Sequence, residues 1–318
     1  MPYGQFAGWG EEVAPDWGVA VARTQFAKLY SESESMHEKP MDPAAFLGNR
    51  DPDRPFFGPE FGRATLVVPL VYDGVGKLLK HSLGVTVDAG SDPYTHTHSL
   101  DATPYTRASS PLVGLSVELN YELPDSSLEA FLLTGGRVLS LAGSFRAGEE
   151  VQLRCALQGK QVTQVQKSGA PTFPDLDTDW VIPQQVLVTI DAGAHDIYGF
   201  DWELNNGLRE DKAFLGSQYR APATVSAKRQ ISGTIDKEWV SKALWDKMKA
   251  GTTGAILVTA TGPGDYVMTW RYNNVRFGGF APALQEGEDR QHQIPWTAYD
   301  DATYGAMQIV ETNNTATT

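Results

Sequence analysis

The chain has 318 residues, with 39 acidic against 26 basic side chains, a formal net charge of −13 and a single cysteine, Cys155. That length accommodates one large domain or two ordinary ones. One thiol excludes an internal disulfide framework and a cysteine-built zinc site, and the acidic surplus argues against a surface that grips nucleic-acid phosphates.

The N-terminus MPYGQFAGWGEE has neither the basic nor the apolar region of a secretion signal, and no apolar run reaches the length of a membrane span. Abundant glycine and proline with few charges point to a turn-rich, mostly β protein. Residues 1–25 read as an extended arm anchored by Phe6, Trp9 and Trp17. Phe26–Glu38 alternates weakly, and Pro40–Gly62 is a loop too long for a simple connection. A strand over Ala64–Tyr72 places Leu66, Val68, Leu70 and Tyr72 on one face. Asp73 is the expected cap of a short helix whose Val75, Leu78, Leu79 and Leu83 share a side, ended by Gly84. Strands follow at Tyr94–Leu100 and Leu112–Tyr121, then a hairpin of Arg137–Phe145 and Glu149–Leu157 about Arg146–Gly148.

Lys160–Gln184 reads as a linker, after which the pattern restarts. Phe200, Trp202 and Leu204 alternate with Asp201, Glu203 and Asn205. Asp236 is expected to cap a second helix carrying Trp239, Ala243, Leu244 and Met248, ended by Gly251. Strands at Ala255–Thr261, Tyr266–Phe277 and Arg290–Tyr299 complete the chain. The two halves share this order and a similar turn, Gly148-Glu149-Glu150 and Gly287-Glu288-Asp289. The expected division is therefore an arm (1–25), a first module (26–159), a linker (160–184), a second module (185–312) and a tail (313–318).

Chemistry-bearing motifs are thin. His96 and His98 share one face of a strand at a metal-compatible spacing, but no third ligand is tied to them. Nucleophile elbow, phosphate loop and zincin signatures are all missing. Acidic pairs read as solvated faces rather than a glycosidase dyad, and Cys155 as a small core residue. No enzyme activity, metal or cofactor is expected.

Five segments taken in order resemble the major tail tube proteins of bacteriophages with long, non-contractile tails: Gly8–Gly18, the strand ending Ser31-Glu32-Ser33-Glu34-Ser35, RATLVVPLVYDGVGKLLKHSLG, Phe200–Ser217 and Lys228–Trp239. The resemblance implies a tail-tube-like β-sandwich or barrel module with one flanking helix, and the repeat makes that two tandem modules plus the N-terminal arm. It implies rings that stack into a virion tube for genome passage, made in the host bacterial cytoplasm. Partners would be other copies of the chain, a tape measure protein inside, terminator and distal tail proteins at the ends, and DNA in passage, with no membrane.

The repeat points to three chains per ring with pseudo-sixfold symmetry; without it, six chains per ring. Expected lumen residues are Glu118, Asn120, Glu122, Asp201, Glu203 and Asn205, giving an acidic-lined conduit that repels DNA phosphate; the alternative is that the same carboxylates face solvent on the outer wall. Expected ring-stacking residues are Phe6, Trp9, Glu11, Glu12 and Trp17 of the arm, with Phe46, Arg50, Arg54, Phe56 and Phe57 of the long loop. The rival reading is a two-domain β-sandwich that binds carbohydrate or a receptor on a virion or cell surface.

Overall fold

Period-two alternation of apolar and polar residues dominates the chain, and the computed structural model answers it with an almost entirely antiparallel β fold and two short helices. It describes residues 5–37, 40–41, 56–102, 105, 112–122, 128–169, 171–175, 179–238, 242–279 and 291–316. The longer strands are numbered in chain order: β1 (Phe6–Glu11), β2 (Gln25–Lys28), β3 (Ser31–His37), β4 (Phe61–Pro69), β5 (Gly84–Gly90), β6 (Tyr94–Leu100), β7 (Leu115–Glu122), β8 (Leu128–Arg146) and β9 (Gln152–Gly159). They continue with β10 (Gln161–Val165), β11 (Val186–Ile190), β12 (Ile197–Asn205), β13 (Gln230–Glu238), β14 (Gly254–Thr261), β15 (Val267–Phe277), β16 (Gln291–Ala298) and β17 (Gln308–Asn313). Helix α1 spans Gly76–Leu83 and α2 spans Ala243–Ala250.

Three layers follow from the pairings. The first sheet runs β3–β4–β9–β8–β12–β13–β16. A second runs β11–β14–β15–β17–β6–β5 and is tied to the first where β15 pairs with the end of β16. A third, β2–β1–β7–β8–β10, uses the N-terminal half of β8. Strand β8 serves two sheets because it bends at Gly135, whose φ of 69° belongs to the left-handed region and coincides with a register shift.

The main core lies between the first two sheets. Phe145 packs edge-on to Trp270 at 5.0 Å, Phe200 stacks on Trp296 at 5.5 Å, and Tyr272 meets Trp296 at 4.8 Å. In the first sheet, register opposes Gly143, Trp202, Gly233 and Trp296 in one row. Each indole occupies the space its glycine neighbour leaves: a Cβ on Gly143 would lie 2.4 Å from Trp202 Nε1, and one on Gly233 would lie 2.6 Å from Trp296 Cζ2. Large and small residues thus alternate across the row and fill it. Removing one such ring costs about 3–5 kcal/mol in a typical core.

Both glycine stops are found: Gly84 and Gly251 take left-handed conformations and donate to Lys80 O and to the Lys247 and Met248 carbonyls. The expected aspartate caps are not. The helices start after Val75 and Lys242, with no side-chain cap bond. Asp73 instead accepts a 2.6 Å bond from Thr315 Oγ1, and Asp236 lies within β13, paired with Arg146 at 3.1 Å. Tertiary partners have claimed both carboxylates.

The segment expected as an arm is, over Phe6–Glu11, a strand between β2 and β7, buried except for Glu11. The interval expected as a linker contains β10, paired with β8. Among the described residues the halves are joined by the ladders of β8 with β12 and β6 with β17 and by a bridge between Glu60 and Tyr219. The expected turn at Gly287-Glu288-Asp289 lies outside the described residues.

Candidate functional site

The first sheet has one face in the core and one facing out. Inward are Leu66, Val68, Leu153, Cys155, Leu141, Phe200, Trp202, Leu204, Ile231 and Ile235, all buried. Outward, register sets three rows side by side. One is Gln152–Ser144–Asp201–Thr234–Pro295; the next is Val67–Arg154–Ala142–Glu203–Ser232–Thr297; the third is Thr65–Ala156–Ser140–Asn205–Gln230. The backbone of β3 extends the last two rows with Ser31 and Ser33. The surface is a shallow cleft of about 660 Å³ made of hydroxyls, amides and small side chains.

Its charges are mixed. Arg146 bonds Asp201 and Asp236, while Ser144 Oγ donates to Asp201 at 2.6 Å. Asp201 in particular, with Asp236, raises the Arg146 guanidinium above its already high ordinary pKa, so it stays cationic. Arg154 and Glu203 are exposed and flank Ala142 of β8, one strand to either side. Of the carboxylates expected on this face, Asp201 is thus paired with a guanidinium group.

Three of the expected lumen residues, Asp201, Glu203 and Asn205, stand together on this face. Glu118 and Asn120 do not: they are 0% and 1% exposed, inside the third sheet. Glu118 is ion-paired with Arg23 and accepts from Ser168 N and Ser168 Oγ, both at 2.8 Å. Asn120 Nδ2 donates to Glu118 Oε1 at 3.1 Å. These two residues tie the chain to itself rather than line the cleft, because β7 is covered on both faces. Of Glu122, only the backbone is described.

The arm residues are likewise engaged internally. Phe6 packs edge-on to Phe173 at 5.4 Å, and Trp9 Nε1 donates to Gln25 Oε1 at 2.9 Å. Trp17 Nε1 donates to Gly135 O at 2.9 Å, sealing the bend in β8. Glu12, 3% exposed, accepts from Gly18 N and Gly135 N at 2.7 Å and from Ser116 Oγ at 3.0 Å. Glu11 accepts from Lys80 Nζ at 2.8 Å with the buried His81 beside it. Burial alone would raise the Glu11 carboxyl, but His81 and the Lys80 ammonium outweigh it and hold the pKa at about 2. Phe46, Arg50 and Arg54 lie outside the described residues. Phe56 and Phe57 form a two-residue bridge with Pro40 and Met41.

His96 and His98 are both buried; both His96 nitrogens are hydrogen-bonded, while His98 uses Nδ1 and has its Nε2 3.6 Å from Glu311 Oε1. His96 Nδ1 meets Asp88 at 2.7 Å and its Nε2 meets Thr315 O at 2.8 Å, while His98 Nδ1 meets Thr86 Oγ1 at 2.7 Å. Among the described residues no three His, Cys, Asp or Glu side chains converge as metal ligands. No described helix is long and apolar enough to cross a membrane.

Ser144, Gln152, Arg154 and Thr65 belong to the cleft and escape the sequence reading. Their signal was present in β9, where Gln152, Arg154 and Ala156 alternate with Leu153, Cys155 and Leu157, but only the apolar side of that alternation attracts notice.

Comparison with curated proteins finds none that matches. The phage tail tube protein family matches residues 38–298, from the end of β3 through β16. That span covers most of the chain and carries the polar sheet face with it, so the chain belongs to the phage tail tube protein family and is a structural component of a virion.

Proposed function

We propose that copies of this chain close into a ring with the polar face of the first sheet turned inward, and that the rings stack into a tube through which the genome passes. The observation that carries this reading is the sheet itself: one face is sealed by the core, the other is hydrophilic, and both edges are open. Among the described residues β3 pairs only with β4, and Gln291–Pro295 of β16 pairs only with β13. Open edges are templates for strand addition, and joining β16 of one copy to β3 of the next removes both. Short hydroxyl and amide side chains, with Asp201 and Glu203 among them to repel phosphate, would give DNA a wet wall with little to hold it.

Two features support three chains per ring. The order β3–β4–α1–β5–β6 returns as β12–β13–α2–β14–β15, and β4 pairs with β9 as β13 pairs with β16. Each chain would then supply two equivalent units, as in the siphophage-type tube implied by the resemblance. Long-loop residues remain the proposed stacking elements, whereas Phe6, Trp9 and Glu12 are buried within the chain and withdrawn from that role; tape measure and terminator proteins remain the proposed partners.

Cysteine labelling tests the orientation. Ser144→Cys and Ser232→Cys should react with a bulky polyethylene-glycol maleimide in isolated subunits and be protected in assembled tubes, while Thr259→Cys on the second sheet reacts in both. Cys155 is fully buried and supplies a silent background. Equal reactivity of Ser144→Cys in subunits and tubes refutes the inward orientation. Negative-stain images counting ring symmetry decide between three and six chains.

A further inference from the structure

The core stripe of the first sheet is interrupted at one end. Along β13 the inward positions are Ile231, Gly233, Ile235 and then Lys237; along β16 they are His292, followed by Ile294 and Trp296. Lys237 and His292 are register partners, 6% and 5% exposed, at positions where the pattern calls for apolar side chains. Such local violations mark positions retained for something other than stability.

Both residues line a cavity of about 180 Å³ closed by α2 and the turn after β11. Its apolar walls are Ile190, Leu244 and Ile294. Its polar groups are mostly cationic or basic. Lys237 Nζ lies 3.1 Å from His195 Nδ1, and that imidazole nitrogen is the ammonium's sole hydrogen-bond acceptor among the described residues. With Nδ1 accepting, the His195 proton sits on Nε2, a further donor. The carboxylate of Asp191 at the mouth is already paired with Lys247 at 2.5 Å, and Glu238 is exposed. A buried ammonium with one neutral acceptor is incompletely satisfied, and the remedy is an anionic oxygen.

We propose that this cavity is a carboxylate-binding site, filled either by a free monocarboxylate or by an acidic side chain of a second copy of the chain. A single ammonium matches one negative charge better than a phosphate dianion, and the apolar walls suit a short alkyl stem. Burial lowers the Lys237 pKa although Asp196 acts against it, and burial together with the neighbouring Lys237 lowers that of His195 against Asp191 and Asp196, so the nearby carboxylates do not offset the cost of burying the ammonium. The site stands independently of ring assembly, since a lone subunit contains all of it.

Acetate is the probe. Full-length unassembled protein is titrated with sodium acetate at constant ionic strength, chloride making up the balance, and the histidine ring resonances are followed by NMR. Saturable shifts of His195 and His292 are expected, with loss of both responses in Lys237→Met. An unresponsive native protein, or one that responds equally to chloride, overturns the proposal without recourse to any variant. So does an unchanged response in Lys237→Met. The same titration on assembled protein separates the two sources: a lost response assigns the site to a neighbour's acidic side chain, and a retained one to a free carboxylate.

Discussion

Glu12 holds the chain between β1 and β2 against the bend of β8, and Glu12→Ala measures that hold. The carboxylate receives two backbone N–H groups, from Gly18 and Gly135, and the Ser116 hydroxyl, at 2.7, 2.7 and 3.0 Å. A hydrogen bond to a charged acceptor contributes about 1.5–3 kcal/mol net, and a buried donor left without a partner forfeits a similar amount. Ser116 can turn its hydroxyl elsewhere, so the two N–H groups set the scale at about 3–6 kcal/mol. The lower half of that range is expected, because the segment around Gly18 can peel away and rehydrate. Urea denaturation of Glu12→Ala should show a lowered midpoint, with faster proteolytic cleavage between Val13 and Arg23. Glu12→Gln should fall between, retaining one acceptor oxygen but turning an amide donor toward other donors. A loss below about 1 kcal/mol for Glu12→Ala, with unchanged proteolysis, would refute the idea that this carboxylate organises the segment.

Three further outcomes are expected. Gly143→Val places a branched side chain where Trp202 now lies and should cost at least about 1–3 kcal/mol; an unchanged urea midpoint would mean the indole has another seat. Asn206 donates from Nδ2 to Ser82 O and Val138 O, both at 3.0 Å, and accepts from Arg229 Nε. Asn206→Asp keeps the volume but loses both donors and should destabilise by about 2–4 kcal/mol, whereas a purely space-filling role would leave stability unmoved in calorimetry. Glu11 has a folded pKa of about 2 against an ordinary 4.5. Its carboxylate binds fewer protons folded than unfolded, so its stabilisation is complete above about pH 4.5 and drains away as the pH falls toward 2. Glu11→Gln should flatten that part of the acid-unfolding curve, and an identical curve would disprove the assignment.

Local grammar was legible where a local cause decides. The bounds Tyr94–Leu100 match β6, and Gly84 and Gly251 end their helices because the left-handed turn there suits glycine. What misled was competition from afar. Asp73 and Asp236 carry the capping chemistry, yet Thr315 and Arg146 reach them first. Strand β7 alternates as a half-exposed strand should, but its polar side, Ser116, Glu118 and Asn120, is roofed by Arg23 and Ser168. The charged edge of β12 could be read directly from Asp201, Glu203 and Asn205. The rest of the cleft could not, since its composition emerges only when register sets β4, β9, β8 and β13 alongside.

Strand β6 waits a long time for its partner. His96 and Asn313, in contact across the β6–β17 ladder, are 217 residues apart. During synthesis, the strand ordered early must therefore stand with one edge bare until nearly all of the described chain has left the ribosome. Nascent sheets in that condition invite wrong partners. The edge left waiting here turns His96 and His98 toward the future core, so the inner face of β6 is polar while it remains uncovered.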